Sequence, residues 1–121
     1  MTLLGIDHIQ IEVPVGTEEV TRAFYVDLLG LEEVPRPREA VGRSFLWVRV
    51  GAQQIHFRCG ADFRPAALAH PAFVVDDIDG LAGELADAGC EVTRADSIAE
   101  GRFHVRDPFG NRLEFIGVTK E

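Results

Sequence analysis

After Asp7, polar and apolar residues alternate without a break from His8 to Val13. Ile9, Ile11 and Val13 fall on one side of an extended chain, and His8, Gln10 and Glu12 on the other. The pattern predicts a strand that Pro14 and Gly16 end. Thr17 is then placed to cap a helix whose first turn carries Glu18 and Glu19, acids suited to the positive end of the dipole. Val20, Ala23, Phe24 and Leu28 recur at helical spacing, and Gly30 terminates the run. Short strands are predicted at Leu31–Val34, Ser44–Val50 and Gln53–Arg58. Ser44–Val50 sets Phe45, Trp47 and Arg49 against Leu46, Val48 and Val50. Gln53–Arg58 sets Ile55 and Phe57 against Gln54, His56 and Arg58.

Residues 60–69 read as a linker, and the order then repeats. His70–Val75 is a predicted strand, Asp76 and Asp77 cap a helix bearing Ile78, Leu81, Leu85 and Ala88, and Gly89 ends it. Glu91–Arg94, Arg102–Arg106 and Asn111–Gly117 are predicted strands, the last two joined by a tight turn at 107–111. Equivalent residues recur at a nearly constant offset: 62 from His8 to His70, 59 from Gly30 to Gly89, 58 from His56 to Glu114. An internal repeat of this length implies two β-α-β-β-β modules, spanning 1–59 and 70–121. Neither could bury its own apolar face alone, so the 121 residues are expected to form one α+β domain.

Composition narrows the classes. The chain is 46% hydrophobic and 26% charged, which excludes a disordered polymer. No apolar run approaches the ~20 residues of a membrane span, and the start lacks a basic region followed by an apolar one. The net charge of −8 opposes binding to a phosphate backbone, so no nucleic-acid or membrane partner is expected. Eleven of the twelve basic residues are Arg, a residue suited to bidentate carboxylate or phosphate contacts. Cys59 and Cys90 form no CxxC pair, which fits a reduced, cytoplasmic setting.

The polar faces of the strands carry His8, Gln10, Glu12, Gln54, His56, Arg58, His70, His104, Arg106, Arg112 and Glu114, among them all four histidines. His8 and His70 are equivalent in the repeat, as are His56 and Glu114. A twofold relation between the modules would bring three imidazoles and a carboxylate to one point. That donor set suits Zn, Ni, Co, Mn or Fe as a divalent ion. The alternative is a set of half-exposed strand residues with no shared centre.

The chain resembles the vicinal oxygen chelate superfamily of glyoxalases, methylmalonyl-CoA epimerases, fosfomycin and bleomycin resistance proteins and extradiol dioxygenases. The resemblance rests on Asp7-His8-Ile9, on the stretch Phe24–Leu31 (FYVDLLGL), on His70–Asp77 (HPAFVVDD) and on Asp107–Phe115 (DPFGNRLEF). It implies paired βαβββ modules, with curved mixed sheets around a cleft and helices outside. The metal positions then fall on His8, His56, His70 and Glu114. His56 stands where glyoxalase I and the epimerases usually carry Glu or Gln. His8, His70 and Glu114 alone make the two-His, one-carboxylate set of the fosfomycin enzymes and dioxygenases. The Ser- and Lys-rich potassium loop of the fosfomycin enzymes is represented only by Ser97 within 95–102.

The expected function is a metal-dependent lyase or isomerase acting on vicinal oxygens of a small metabolite. Glu114 and His56 are the candidate acid/base groups. Gln10, Trp47 and His104 would position the substrate, and Arg58, Arg106 and Arg112 would attract an anionic one. Two alternatives share the cleft: a drug-sequestering protein of the bleomycin-resistance type, in which Phe45, Trp47 and Phe103 dominate, and a non-heme iron dioxygenase. A homodimer is expected.

Overall fold

The computed structural model describes residues 1–94 and 101–118. The chain divides into two compact units, residues 1–64 and 65–121. The first unit runs β1 (His8–Pro14), α1 (Glu18–Arg22), a π-helical segment (Ala23–Leu28), β2 (Glu32–Val34), a 3-10 turn (Arg38–Ala40), β3 (Leu46–Val50) and β4 (Gln53–Gly60). Its mixed sheet has the order β1-β4-β3-β2, with β1 parallel to β4 and the other pairs antiparallel. The second unit runs β5 (Ala72–Val75), α2 (Ile78–Asp87), β6 (Arg102–Arg106) and β7 (Arg112–Gly117). Its sheet has the order β5-β7-β6, again with one parallel pair, β5 with β7. The whole is an α+β fold of two small mixed sheets, as the alternation predicts.

Burial follows the predicted faces. Along β1 Ile11 and Val13 are buried, while His8, Gln10 and Glu12 are exposed. Leu46, Val48, Ile55 and Phe57 close the apolar side of the first sheet, and Phe103, Val105, Leu113 and Phe115 that of the second. Removing such side chains from water supplies the main favourable term, about 25 cal/mol per Å² of apolar surface.

Four expectations are corrected. Thr17 precedes α1, but its hydroxyl donates back to the Pro14 carbonyl at 2.6 Å and caps no helical N–H. The predicted single helix changes to a wider turn from Ala23, marked by Leu29 N donating to Phe24 O at 2.9 Å. Both neighbours Phe24 and Tyr25 enter the core there, with Tyr25 packed on Phe57 at 4.5 Å between ring centroids. The predicted strand at Glu91–Arg94 is reduced to one bridge, Thr93 to His104. β5 begins at Ala72, so His70 lies ahead of the ladder. Of the stretch compared with a potassium loop, 95–102, residues 95–100 with Ser97 lie outside the described residues, and Arg102 begins β6.

The second helix forms as expected. Asp77 Oδ1 accepts from Gly80 N at 2.9 Å. A Cβ at Gly80 would collide with the Asp77 carboxylate, so glycine makes room for its own cap. The turn between β6 and β7 is built on Asp107, whose Oδ1 accepts from Phe109 N and Asn111 N. Gly110 takes the left-handed conformation (φ 94°) that closes it.

Candidate metal centre

In the first unit β1 and β4 pair with His8 opposite Gln54, Gln10 opposite His56 and Glu12 opposite Arg58, and β3 brings Trp47 opposite His56. These side chains therefore share one face. The result is a stack of three rings. The His56 imidazole lies against the Trp47 indole, 3.7 Å between centroids and 2° from parallel. Its other neighbour is His8, at 4.0 Å and 17°. The stack buries His56 to 6% exposure on what the alternation marks as the polar face. Burial holds its imidazole below the ordinary range, and His8 adds to that while Asp7 opposes it. His56 Nε2 lies 2.9 Å from the Gln54 amide oxygen. His8 Nδ1 lies 2.9 Å from Asp7 Oδ2, leaving Nε2 as its outward nitrogen.

The second unit keeps the ladder and changes the chemistry. Ala72 and His104 both stand opposite Glu114, in the places that Gln10 and Trp47 take opposite His56. The predicted equivalence of His56 and Glu114 is thus a property of the register. Glu114 is buried, and its two oxygens are divided between partners. Oε1 lies 2.8 Å from His70 Nε2 and 3.5 Å from His104 Nε2, while Oε2 accepts from Arg102 Nη1 at 3.2 Å. Burial pushes the carboxyl up, but the hydrogen bonds from His70 and Arg102 and the charges of His104 and His70 outweigh it. They hold Glu114 below the usual carboxylate range.

One donor atom from each of His70, His104 and Glu114 lies within 4.8 Å of the others. Hydrogen-bond accounting shows what the group lacks. His70 Nδ1 lies 2.7 Å from the Leu68 carbonyl, which can only accept, so Nδ1 carries hydrogen. Nε2 then faces a carboxylate oxygen. Two lone pairs at that separation require a positive centre, either a proton on the ring or a metal ion. Two imidazoles and a carboxylate with an occupied Nδ1 behind the ligand nitrogen fit a divalent transition ion.

The remaining candidates are placed as follows. Gln10 lies on β1 opposite His56. Arg58 lines an open groove of about 400 Å³ with Glu18, Arg36, Arg43 and Cys59. His104, Arg106 and Arg112 line another, of about 410 Å³, with Glu91 and Thr93. Arg106 donates to the carbonyls of Ala66, Ala67 and Gly110, and Arg112 to that of Leu68. Sequence reasoning missed Arg102, although the alternation that marks His104 and Arg106 passes through it. It also missed the Leu68 carbonyl, for which a sequence carries no signal.

A family model described as the Glyoxalase/Bleomycin resistance protein/Dioxygenase superfamily matches residues 5–115. The chain belongs to this superfamily. It is 45% identical to a glyoxalase family protein of Bacillus anthracis, with 98% of each chain covered and a TM-score of 0.88. An integron cassette protein from V. cholerae is 24% identical over 98% of both chains, at a TM-score of 0.73. The fosfomycin resistance protein FosX of Listeria monocytogenes is similar at 17% identity, covering 98% of this chain and 95% of that one. Its TM-score is 0.76, in an E126Q mutant complexed with Mn(II) and 1S,2S-dihydroxypropylphosphonic acid. At such identity the likeness shows the fold alone. No curated protein matches the chain.

Proposed function

We propose that this glyoxalase-superfamily chain is a metal-dependent enzyme, a lyase or isomerase that takes a small metabolite with two vicinal oxygens. The observation that carries the proposal is the His70–Glu114 pair, which sets Nε2 and Oε1 2.8 Å apart with a second imidazole, His104, beside them. His70 and Glu114 are the central ligands on the second unit, and the family pattern marks His8 and His56 as candidate ligands on the first. The manganese and vicinal diol phosphonate held by FosX support the same class of ligand. A bound divalent ion would supply Lewis acidity toward an enolate or alkoxide.

The chain's own residues do the rest. Glu114, ionised and fixed by Arg102 through Oε2, keeps Oε1 available as a ligand or proton acceptor. His104 Nε2, 3.5 Å from that oxygen, is placed to exchange a proton with it. His56, held neutral by burial, is a base on the first unit, and Gln10 and Trp47 stand opposite it to orient a substrate. Arg58 is the guanidinium of this unit proposed to draw in an anionic substrate. The protein acts on small molecules in the cytoplasm as a homodimer, which sedimentation tests directly.

Equilibrium dialysis of the full chain against Co(II), Ni(II), Zn(II), Mn(II) and Fe(II) tests the centre. About one ion per chain is expected. His70→Ala or Glu114→Ala should weaken binding by more than about 100-fold, beyond the range of an outer-shell change. Unchanged affinity in His70→Ala removes the proposal. The flat Trp47–His56 stack favours a second reading, capture of an aromatic small molecule. Quenching of Trp47 fluorescence by such ligands, unaffected by a chelator, would select it over the enzyme.

A further inference from the structure

We infer that Arg112 and Arg106 are positioning residues that clamp the backbone at 66–68 and thereby hold the His70 ring with Nδ1 on the Leu68 carbonyl and Nε2 toward Glu114. The inference rests on the reading of His70 as a ligand only for its consequence on metal affinity. Its geometry stands without the ion.

Ala66, Ala67 and Leu68 belong to no strand, and Leu68 is 74% exposed, so apolar burial does not hold this stretch. Its carbonyls do. Arg106 donates from Nη1 to Ala66 O at 3.2 Å and from Nη2 to Ala67 O at 3.0 Å. Arg112 Nη1 donates to Leu68 O at 3.1 Å. Three successive carbonyls are therefore held by two guanidinium groups. Arg106 and Arg112 are direct cross-strand partners on β6 and β7, where two like charges repel. The carbonyl dipoles offset that repulsion and give the pairing a purpose.

The last carbonyl is the decisive one. Leu68 O accepts from Arg112 and from His70 Nδ1 at 2.7 Å. His70 lies ahead of β5, so no ladder hydrogen bond of its own fixes it. A carbonyl held in place behind Nδ1 keeps a hydrogen on that nitrogen and sets which way the ring turns. Arginine suits the task at 106 because only a planar fork reaches two adjacent carbonyls at once. These donors are thereby committed to the backbone, in contrast to the substrate-attracting role that the sequence suggests for the pair.

One-bond ¹H–¹⁵N correlation of the His70 ring on the metal-free full chain reads the Nδ1–H that Leu68 O holds. The wild type should show this proton protected from exchange with solvent. Arg112→Gln should lose it to exchange, and Arg112→Lys should restore the wild-type signals. Co(II) affinity should fall about 10- to 100-fold in Arg112→Gln and recover in Arg112→Lys. A merely structural arginine would lower the Tm without exposing that proton to exchange. If Arg112→Gln does not fold, Arg106→Lys carries the test, because it can hold only one of its two linker carbonyls. Unchanged His70 signals in whichever variant folds overturn the inference. A protein whose Arg112→Gln variant loses the protected Nδ1–H, yet which binds no metal, keeps the clamp and removes the metal centre. A protein that binds metal through His70 with that proton unmoved in the variant removes the clamp alone.

Discussion

On the polar face of the first sheet, the middle of β4 carries an imidazole pressed between two aromatic rings. At the matching place in the second sheet, β7 carries a carboxylate held by His70, Arg102 and His104. The backbone around the two positions is the same: a parallel neighbour on one side, an antiparallel neighbour on the other, in the same register. The ladder therefore decides which side chains meet, and side-chain identity decides what the meeting does. A ring stack is worth about 0.5–1.5 kcal/mol per pair beyond its burial and is indifferent to salt. A carboxylate among cations depends on pH, salt and any ion that enters. One duplicated frame thus carries a surface suited to flat ligands and a centre suited to cations.

The helices differ in the same spirit. The first unit sends Thr21, Phe24 and Tyr25 into the core, whereas α2 has Leu85 as its only buried residue. Leu85→Ala should therefore have the largest effect of the substitutions considered below, about 2–5 kcal/mol. Its signature is local: amide exchange should accelerate along α2 while the β1–β4 amides keep their protection. A loss spread evenly over both units would show that the helix layer of the second unit does not hang on this side chain.

The charged and stacked centres separate by their acid behaviour. The folded-state pKa of Glu114 is depressed, so its stabilisation is present above the ordinary carboxyl range and disappears as pH falls through the folded value. Glu114→Gln should cost about 1–3 kcal/mol at neutral pH, and the gap to wild type should close in acid. His56 also has a lowered pKa, but as a base. Between its folded and unfolded values the unfolded chain binds more protons, so stability rises with pH up to the ordinary imidazole range. His56→Phe keeps a ring between Trp47 and His8 and removes that slope. Urea melts at several pH values measure both, and parallel curves for wild type and both variants would abolish the distinction.

What the sequence makes legible follows from the range of the forces involved. Strand faces are local, because side chains alternate with period two whatever lies beyond. Hence Ile11, Val13, Leu46, Val48, Ile55 and Phe57 are buried as the pattern requires. The repeat also carries the equivalence of His56 with Glu114. The π-helical turn at Ala23–Leu28 is not legible, because it arises where Phe24 and Tyr25 both find room in the core, Tyr25 against Phe57. The burial of His56 is invisible for a similar reason, since Trp47 and His8 reach it across two neighbouring strands. The Arg106 and Arg112 bonds to 66–68 span about forty residues and end on backbone oxygens, which no residue type announces.

The two helix starts give the smallest and cleanest contrast. Both present a residue with a capping side chain, yet only Asp77 accepts from its helix, through Gly80 N. Thr17 instead donates to Pro14 O, tying the helix entrance to the end of β1. Asp77→Ala leaves a first-turn N–H without its acceptor and should cost about 1 kcal/mol. Asp77→Asn should restore most of it, since the amide oxygen can accept from the same N–H. Thr17→Ala removes a donor whose carbonyl partner can turn to water, so its cost should stay near the low end for a single hydrogen bond, about 0.5 kcal/mol. Thermal melts of the three variants decide the order. If Thr17→Ala proves the costlier, the strand-to-helix link at Pro14 holds more of the first unit than any cap holds of the second.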